Sequence, residues 1–287
     1  MKKKGLLRKA LCMLMLLGGT TLAMAQQKVE IQLWPDGAPN SNGLQPNEDE
    51  KKRDYPDKVT TPTLTVYVAK NPTGKAIVCC PGGGYQILAM GYEGTDMADW
   101  FNAQGITYAV LKYRMPNGHD EVPLSDVQQA IRIMRQHAQE WKFDKVGVMG
   151  FSAGGHLAST AATHYTEDTR PDFQVLFYPV ISMQDDITHR GSRENLIGKE
   201  PSQELVDKYS NELQVNAQTP PAFILHSSDD RGVPVENTIR YYQALVKNRV
   251  PVALHCYPVG GHGWGYRDNF PYKHEWKGEL DKWLRSF

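Results

Sequence analysis

The stretch Gly150-Phe151-Ser152-Ala153-Gly154-Gly155, which follows the apolar run Val146-Gly147-Val148-Met149, constrains this chain more than any other. A serine with glycines two residues to either side fits a tight turn between a strand and a helix, because side chains at those flanking positions would collide with neighbouring backbone. Such a turn pushes the hydroxyl out of the fold. The helix that follows aims the free N–H groups of its first turn at the same spot, where they stabilise negative charge forming on a substrate oxygen. The stretch reads as a nucleophile elbow, with Ser152 as candidate nucleophile and the amide of Ala153 as an oxyanion donor.

The rest of the chain alternates in a way that suits such an elbow. Residues 26–75 are polar and rich in Pro, Asn and Asp, with short strand-like pieces at Val29–Leu33 and Leu64–Val68; they are expected to form an edge hairpin and surface loops. Buried strands are then expected at Ala76–Cys80, Thr107–Tyr113, Val146–Met149, Gln174–Phe177, Ala222–Leu225 and Ala253–Tyr257. Helices are expected at Thr95–Ala103, after the elbow to about Thr163, at Val235–Lys247 and at His274–Arg285. Another helix carries Val127, Ala130, Ile131, Met134, Ala138 and Trp141 at helical spacing, with Ser125 and Gln128 as an expected capping box. Alternation of this kind implies a mostly parallel sheet covered on both faces. The polar segment Ser182–Gln218 interrupts it and is expected to lie over the carboxyl ends of the strands as a small lid or substrate-shaping loop.

A serine hydroxyl needs a base and an orienting carboxylate. Two later strand ends supply them: His226-Ser227-Ser228-Asp229-Asp230-Arg231-Gly232-Val233-Pro234 and Gly260-Gly261-His262-Gly263-Trp264-Gly265. The order Ser, Asp, His is that of α/β-hydrolases. The elbow, the loop Pro81-Gly82-Gly83-Gly84-Tyr85, the D-x-x-V-P segment, the G-G-H-G-W-G segment and Tyr113-Arg114-Met115-Pro116 together resemble secreted bacterial carbohydrate esterases of the acetylxylan-esterase type, over the chain from about Leu33 onward. The resemblance implies an α/β-hydrolase fold with a small lid insertion. It also implies a serine carboxylesterase that removes acetyl or similar acyl groups from xylan-like polysaccharides or their oligosaccharides. Ser152 would be the nucleophile, His262 the general base and acid, and Asp230, three residues before Val233, the orienting carboxylate, with Asp229 as the alternative. Backbone N–H groups of Gly83, Gly84 or Tyr85 would complete the oxyanion hole with Ala153, although Pro81 stands where related lipase loops begin with His.

Tyr85 and Trp264 adjoin the two catalytic loops and are candidates for an acyl- or sugar-facing wall, with core packing the equal alternative for Trp264. His156 is expected to pack beside the site and His226 to be a hydrogen-bonded support; Asp126 is expected to be a cap or dipole partner in the first turn of its helix, and Tyr113, Arg114 and Glu93 to brace active-site loops. Neither His156 nor His226 has partners at metal-ligand spacing, so no catalytic metal is expected, and the chemistry calls for no cofactor. A prolyl-oligopeptidase-like exopeptidase shares the elbow and triad order, but such enzymes generally carry a large second domain. A noncatalytic carbohydrate-binding protein on the same scaffold would have a broken triad.

The 287 residues suit one α/β domain over 26–287, and 32 basic against 32 acidic residues give no support to a nucleic-acid or membrane-surface partner. An acylated carbohydrate is the expected partner. Lys2, Lys3, Lys4, Arg8 and Lys9 precede an apolar run from Ala10 to Leu17 and an A-x-A-like end at Ala25. This is a signal-peptide pattern over 1–25, so the mature protein is expected in the periplasm or outside the cell, without a membrane anchor. Cys12 lies in that segment; Cys79, Cys80 and Cys256 are expected to be buried thiols rather than a disulfide framework.

Overall fold

A computed structural model describes residues 27–46 and 54–287; the signal-peptide pattern and Cys12 lie outside the described residues. Eight strands form one sheet: β1 (Gln27–Gln32), β2 (Thr63–Val68), β3 (Gly74–Cys80), β4 (Ile106–Lys112), β5 (Phe143–Phe151), β6 (Gln174–Phe177), β7 (Ala222–Ser227) and β8 (Val252–Tyr257). Their order is β1-β2-β4-β3-β5-β6-β7-β8, and only the pairings of β2 are antiparallel. The expected edge hairpin is present as the β1–β2 pair.

Period-two alternation sends side chains to both faces of the sheet. Ala76, Val78 and Cys80 join one core, with α2 (Glu121–Gln136), α4 (Ser152–Thr163) and α7 (Glu236–Lys247) packed on it. Ile77 and Cys79 join the other, under α1 (Ala98–Ala103) and α8 (Lys273–Leu284). Buried on both faces, the central strands need the continuous apolar runs that the sequence has. Adjacent Cys79 and Cys80 therefore face opposite ways and are both buried free thiols, whereas Cys256 is exposed, contrary to expectation, because β8 is the last strand of the sheet.

The helix expected to start at Ser125 begins a turn earlier. The Ser125 hydroxyl bonds back to the Val122 carbonyl at 2.7 Å instead of capping. Its apolar stripe ends at His137, and Ala138–Trp141 form a separate turn, α3. Asp126 is not a cap either. It is buried, accepts from the Trp34 indole at 2.8 Å and pairs with Arg114 at 2.7 Å. The segment expected as a lid carries two short helices, α5 (Arg190–Ile197), capped by His189, and α6 (Gln203–Tyr209), capped by Ser202.

Candidate active site

Strand register brings the site together. Cys80 pairs with Gly150, Phe151 with Phe177 and Ser227 with Tyr257, so the loops after β3, β5, β7 and β8 leave the same edge of the sheet. Between β5 and α4 the chain turns at Ser152 with φ +52°, a left-handed conformation that costs a non-glycine residue about a kcal/mol or more. The turn is held because its flanks have no room to relax: a Cβ at Gly150 would lie 2.0 Å from the Gly154 carbonyl oxygen, and one at Gly154 would lie 2.1 Å from that of Cys80.

Ser152 Oγ lies 2.8 Å from His262 Nε2, and His262 Nδ1 lies 2.7 Å from Asp230 Oδ2. With a carboxylate facing it, Nδ1 carries the proton and leaves the Nε2 lone pair for the serine hydroxyl. Asp230 Oδ1 accepts from the amides of Gly232 at 2.8 Å and Val233 at 2.9 Å. Burial alone would raise its carboxyl, but hydrogen bonds from His226 and His262 outweigh that and hold it far below the usual carboxylate range. His226 Nε2 faces two acceptors, the Val233 carbonyl at 3.0 Å and Asp230 Oδ2 at 3.3 Å. Nε2 therefore donates, and His226 Nδ1 accepts from the Thr238 hydroxyl at 2.7 Å. The sequence alternative, Asp229, serves the loop instead of the ring. Its Oδ1 accepts from the Gly261 amide at 2.8 Å and fastens the segment that carries His262.

Opposite the imidazole lies the glycine-rich loop. Its carbonyls turn inward, Gly82 O accepting from Ala89 and Gly83 O from Gln86 and Ile87, and the Gly82 amide donates to Glu93 at 2.9 Å. The amides of Gly83 and Gly84 take no partner among the described residues. Gly83 at φ +132° and Gly84 at φ +64° adopt backbone that favours glycine. With the Ala153 amide at the start of α4, they are the donors available to an oxyanion.

Tyr85, a candidate for the substrate-facing wall, is instead core, and of the two readings open for Trp264 the structure takes core packing. Tyr85 is 2% exposed, with its hydroxyl 2.9 Å from His156 Nδ1 and its ring edge-on to Tyr113. Trp264 is 4% exposed, stacks flat on Phe270 at 3.9 Å and donates to the Ser227 hydroxyl at 3.1 Å. In both cases the left-handed or glycine-flanked loop backbone turns the ring inward, where large apolar area is best buried. His156 is a buried support, as expected, with Nε2 on the Tyr209 carbonyl at 2.8 Å. Tyr113 braces the loop through the Pro81 carbonyl at 2.8 Å.

One group near the site carries no sequence motif. His189, half-buried on the insertion, places Cε1 3.7 Å from where a Gly84 Cβ would stand. Its Nδ1 caps α5 by accepting from Ser192 N at 3.2 Å, so its proton belongs on Nε2. Burial, and secondarily the charge of His262, lower its pKa. Asn195, six residues on, donates to the Gly84 carbonyl at 2.8 Å and ties the insertion to the glycine-rich loop.

An eight-stranded, mostly parallel sheet with a serine elbow at β5 and the carboxylate and histidine after β7 and β8 is an α/β-hydrolase fold. The chain belongs to the BD-FAE family, whose model matches residues 64–245. It is 43% identical over 229 residues to an acetylxylan esterase of Xylanibacter ruminicola, covering 78% of this chain and 48% of that protein. It is 33% identical over 220 residues to endo-1,4-beta-xylanase B of Butyrivibrio fibrisolvens, covering 70% and 34%. Among solved structures, an acetyl ester-xyloside bifunctional hydrolase from Caldicellulosiruptor lactoaceticus aligns with a TM-score of 0.77 at 36% identity, over 92% of this chain and 98% of that one. The chain spans about half the length, or less, of the curated relatives named here.

Proposed function

We propose that this chain is a serine carboxylesterase that removes acetyl or similar acyl groups from xylan or xylo-oligosaccharides through an acyl-enzyme. The observation that carries the reading is the unbroken hydrogen-bonded chain from Ser152 through His262 to Asp230, at 2.8 and 2.7 Å, beside two loop amides without a partner among the described residues. The names of the relatives, an acetylxylan esterase and an acetyl ester-xyloside hydrolase, support the substrate class. The basic and apolar N-terminal residues support export to where such polymers are met.

In this reading Ser152 Oγ attacks the ester carbonyl carbon as His262 Nε2 takes its proton, and Asp230 holds the resulting imidazolium in place. The amides of Gly83, Gly84 and Ala153 bind the oxyanion; each such donor is worth about 3 kcal/mol of barrier. His262 returns the proton to the departing sugar hydroxyl, then activates the water that releases the acid. The test is acid release from acetylated xylo-oligosaccharides and from short-chain aryl esters by the wild-type protein and S152A. Wild type is expected to release acetate, and S152A to lose activity by on the order of 10⁶-fold. Full activity in S152A, or cleavage of a proline-containing amide with no ester cleaved, overturns the proposal.

A further inference from the structure

Glu93 is a carboxylate that the esterase reaction does not use. It is 3% exposed and lies on the loop between β3 and α1. Its Oε2 accepts from the Gly82 amide at 2.9 Å, and its Oε1 accepts from the Tyr178 hydroxyl at 2.7 Å. The Tyr178 oxygen in turn accepts from the Gly265 amide at 2.9 Å, three residues past His262. With Glu93 ionised the directions follow: a carboxylate only accepts, so Tyr178 gives its one proton to Glu93 and accepts from Gly265. A continuous polar clasp thus runs from the glycine-rich loop to the histidine loop.

Independent contacts tighten both ends. A Cβ on Gly82 would lie 2.5 Å from Glu93 Oε2, 2.7 Å from the Phe151 carbonyl oxygen and 3.0 Å from Ser152 Cβ, so the loop at Gly82 sits between the carboxylate and the elbow with no room for a side chain. Next to Glu93, the Tyr92 carbonyl accepts from the Tyr266 amide at 2.8 Å, and Arg267 lies over the Tyr92 ring at 3.8 Å. The Tyr178 ring stands edge-on to the His262 imidazole with centroids 4.9 Å apart. A buried charge is expensive, and burial does push the Glu93 carboxyl upward. An apolar residue would fill the same space at lower cost. What it could not do is consume the Gly82 amide, which leaves those of Gly83 and Gly84, without a partner among the described residues, as the loop's free donors, and hold Tyr178 by its hydroxyl against His262.

We propose that Glu93 is a positioning residue that sets the glycine-rich loop against the histidine loop through Tyr178, so that oxyanion donors and base are held in one geometry before substrate arrives. The proposal rests on the esterase reading of the site. Such an arrangement acts on the transition state more than on substrate binding, since the ground-state carbonyl makes weaker use of the donors. E93Q presents an NH₂ to one of the two donors and leaves that hydrogen without an acceptor. Y178F removes the link to Gly265 while keeping the ring against His262.

The experiment is steady-state hydrolysis of an aryl acetate by wild type, E93Q, Y178F and the double variant, with urea denaturation of each. In E93Q, kcat is expected to fall about 10- to 100-fold with KM within about 3-fold of wild type. Y178F is expected to show the same pattern more weakly, and the double variant to be little worse than E93Q, because both cut one clasp. Wild-type kcat in either single variant, a loss confined to KM, or losses that multiply independently in the double variant each overturn the clasp. If E93Q does not fold, Y178F decides alone by the same split. Wild-type protein that is folded but hydrolyses no ester overturns the parent reading instead, and is distinguished by being independent of any variant.

Discussion

At the scale of single residues, the site shows how neighbouring groups of one type take different roles. Asp229 and Asp230 differ by one position, yet only Asp230 reaches His262, because β7 ends at Ser227 and the following turn sends alternate side chains to the backbone of the histidine loop and to the His262 ring. His226 and His156 are both fully buried and both donate at Nε2, one under the Asp230 carboxylate and one under Tyr85. His156 has a consequence for stability. Burial lowers its pKa from 6.5 to about 4. In the unfolded chain the ring takes a proton as the pH passes 6.5, whereas in the folded protein it stays neutral until about 4. Lowering the pH across that window therefore favours unfolding, by up to about 3 kcal/mol at its lower end. H156Q is expected to remove this pH-dependent part, whatever fixed cost it carries. Urea midpoints between pH 7.5 and 4.5 check it: parallel profiles for wild type and H156Q contradict the assignment.

At the scale of elements, the strands and helices of the sheet were largely legible from the sequence because doubly buried strands and one-faced helices leave strong periodic patterns. Gln174–Phe177 is found with the bounds its apolar run implies, and the elbow could be placed because glycine spacing reports a steric need. What was not legible depends on partners far along the chain. Ser125 has the local pattern of a cap, but Asn40 and Arg114 approach it and the helix starts earlier. Tyr85 and Trp264 look exposed on loops until His156 and Phe270 are seen to receive them. Glu93 could be placed as a brace of the active-site loops, and it does hold Gly82 and Tyr178, but His189 and Asn195 belong to no motif, and their value appears only when the loops meet. Asn195 makes this concrete at the level of α5. It donates to the Gly84 carbonyl, and its own carbonyl accepts from Gly118 at 2.9 Å, so the helix is fastened to the glycine-rich loop and to the loop before α2. N195A is expected to cost about 1 kcal/mol of stability and to lower kcat/KM about 3- to 10-fold as the loop loosens, measured by denaturation and aryl-acetate hydrolysis. An unchanged kcat/KM means that the loop is held without the insertion.

At the scale of the whole molecule, the segment before β2 must be joined to a core that the sheet and helices could otherwise complete without it. Arg114, just past β4, and Asp126, on α2, provide that joint. Their side chains are 3% and 0% exposed, and the pair is satisfied on every side. Asp126 accepts from the Arg114 amide at 2.9 Å, its guanidinium at 2.7 Å and the Trp34 indole, while Arg114 donates to the Asn40 carbonyl at 2.7 Å and to Asn40 Oδ1 at 2.9 Å. Removing one partner leaves a buried cation uncompensated and also frees Trp34. D126A is therefore expected to lose about 3–5 kcal/mol. If the loss comes from the stranded charge, replacing both members with apolar residues of similar volume, as in R114M/D126L, recovers much of it; if it comes from undocking the N-terminal segment, the double variant stays as weak as D126A, because Asn40 and Trp34 still lack their partners. Urea denaturation of the three proteins separates the two, and tryptophan fluorescence reports whether Trp34 has left its site. The number of hydrogen bonds this pair spends on residues 34 and 40 favours the second outcome: here the ion pair acts as a fastening between chain segments, and its loss should be repaired by restoring those contacts rather than by adding apolar volume.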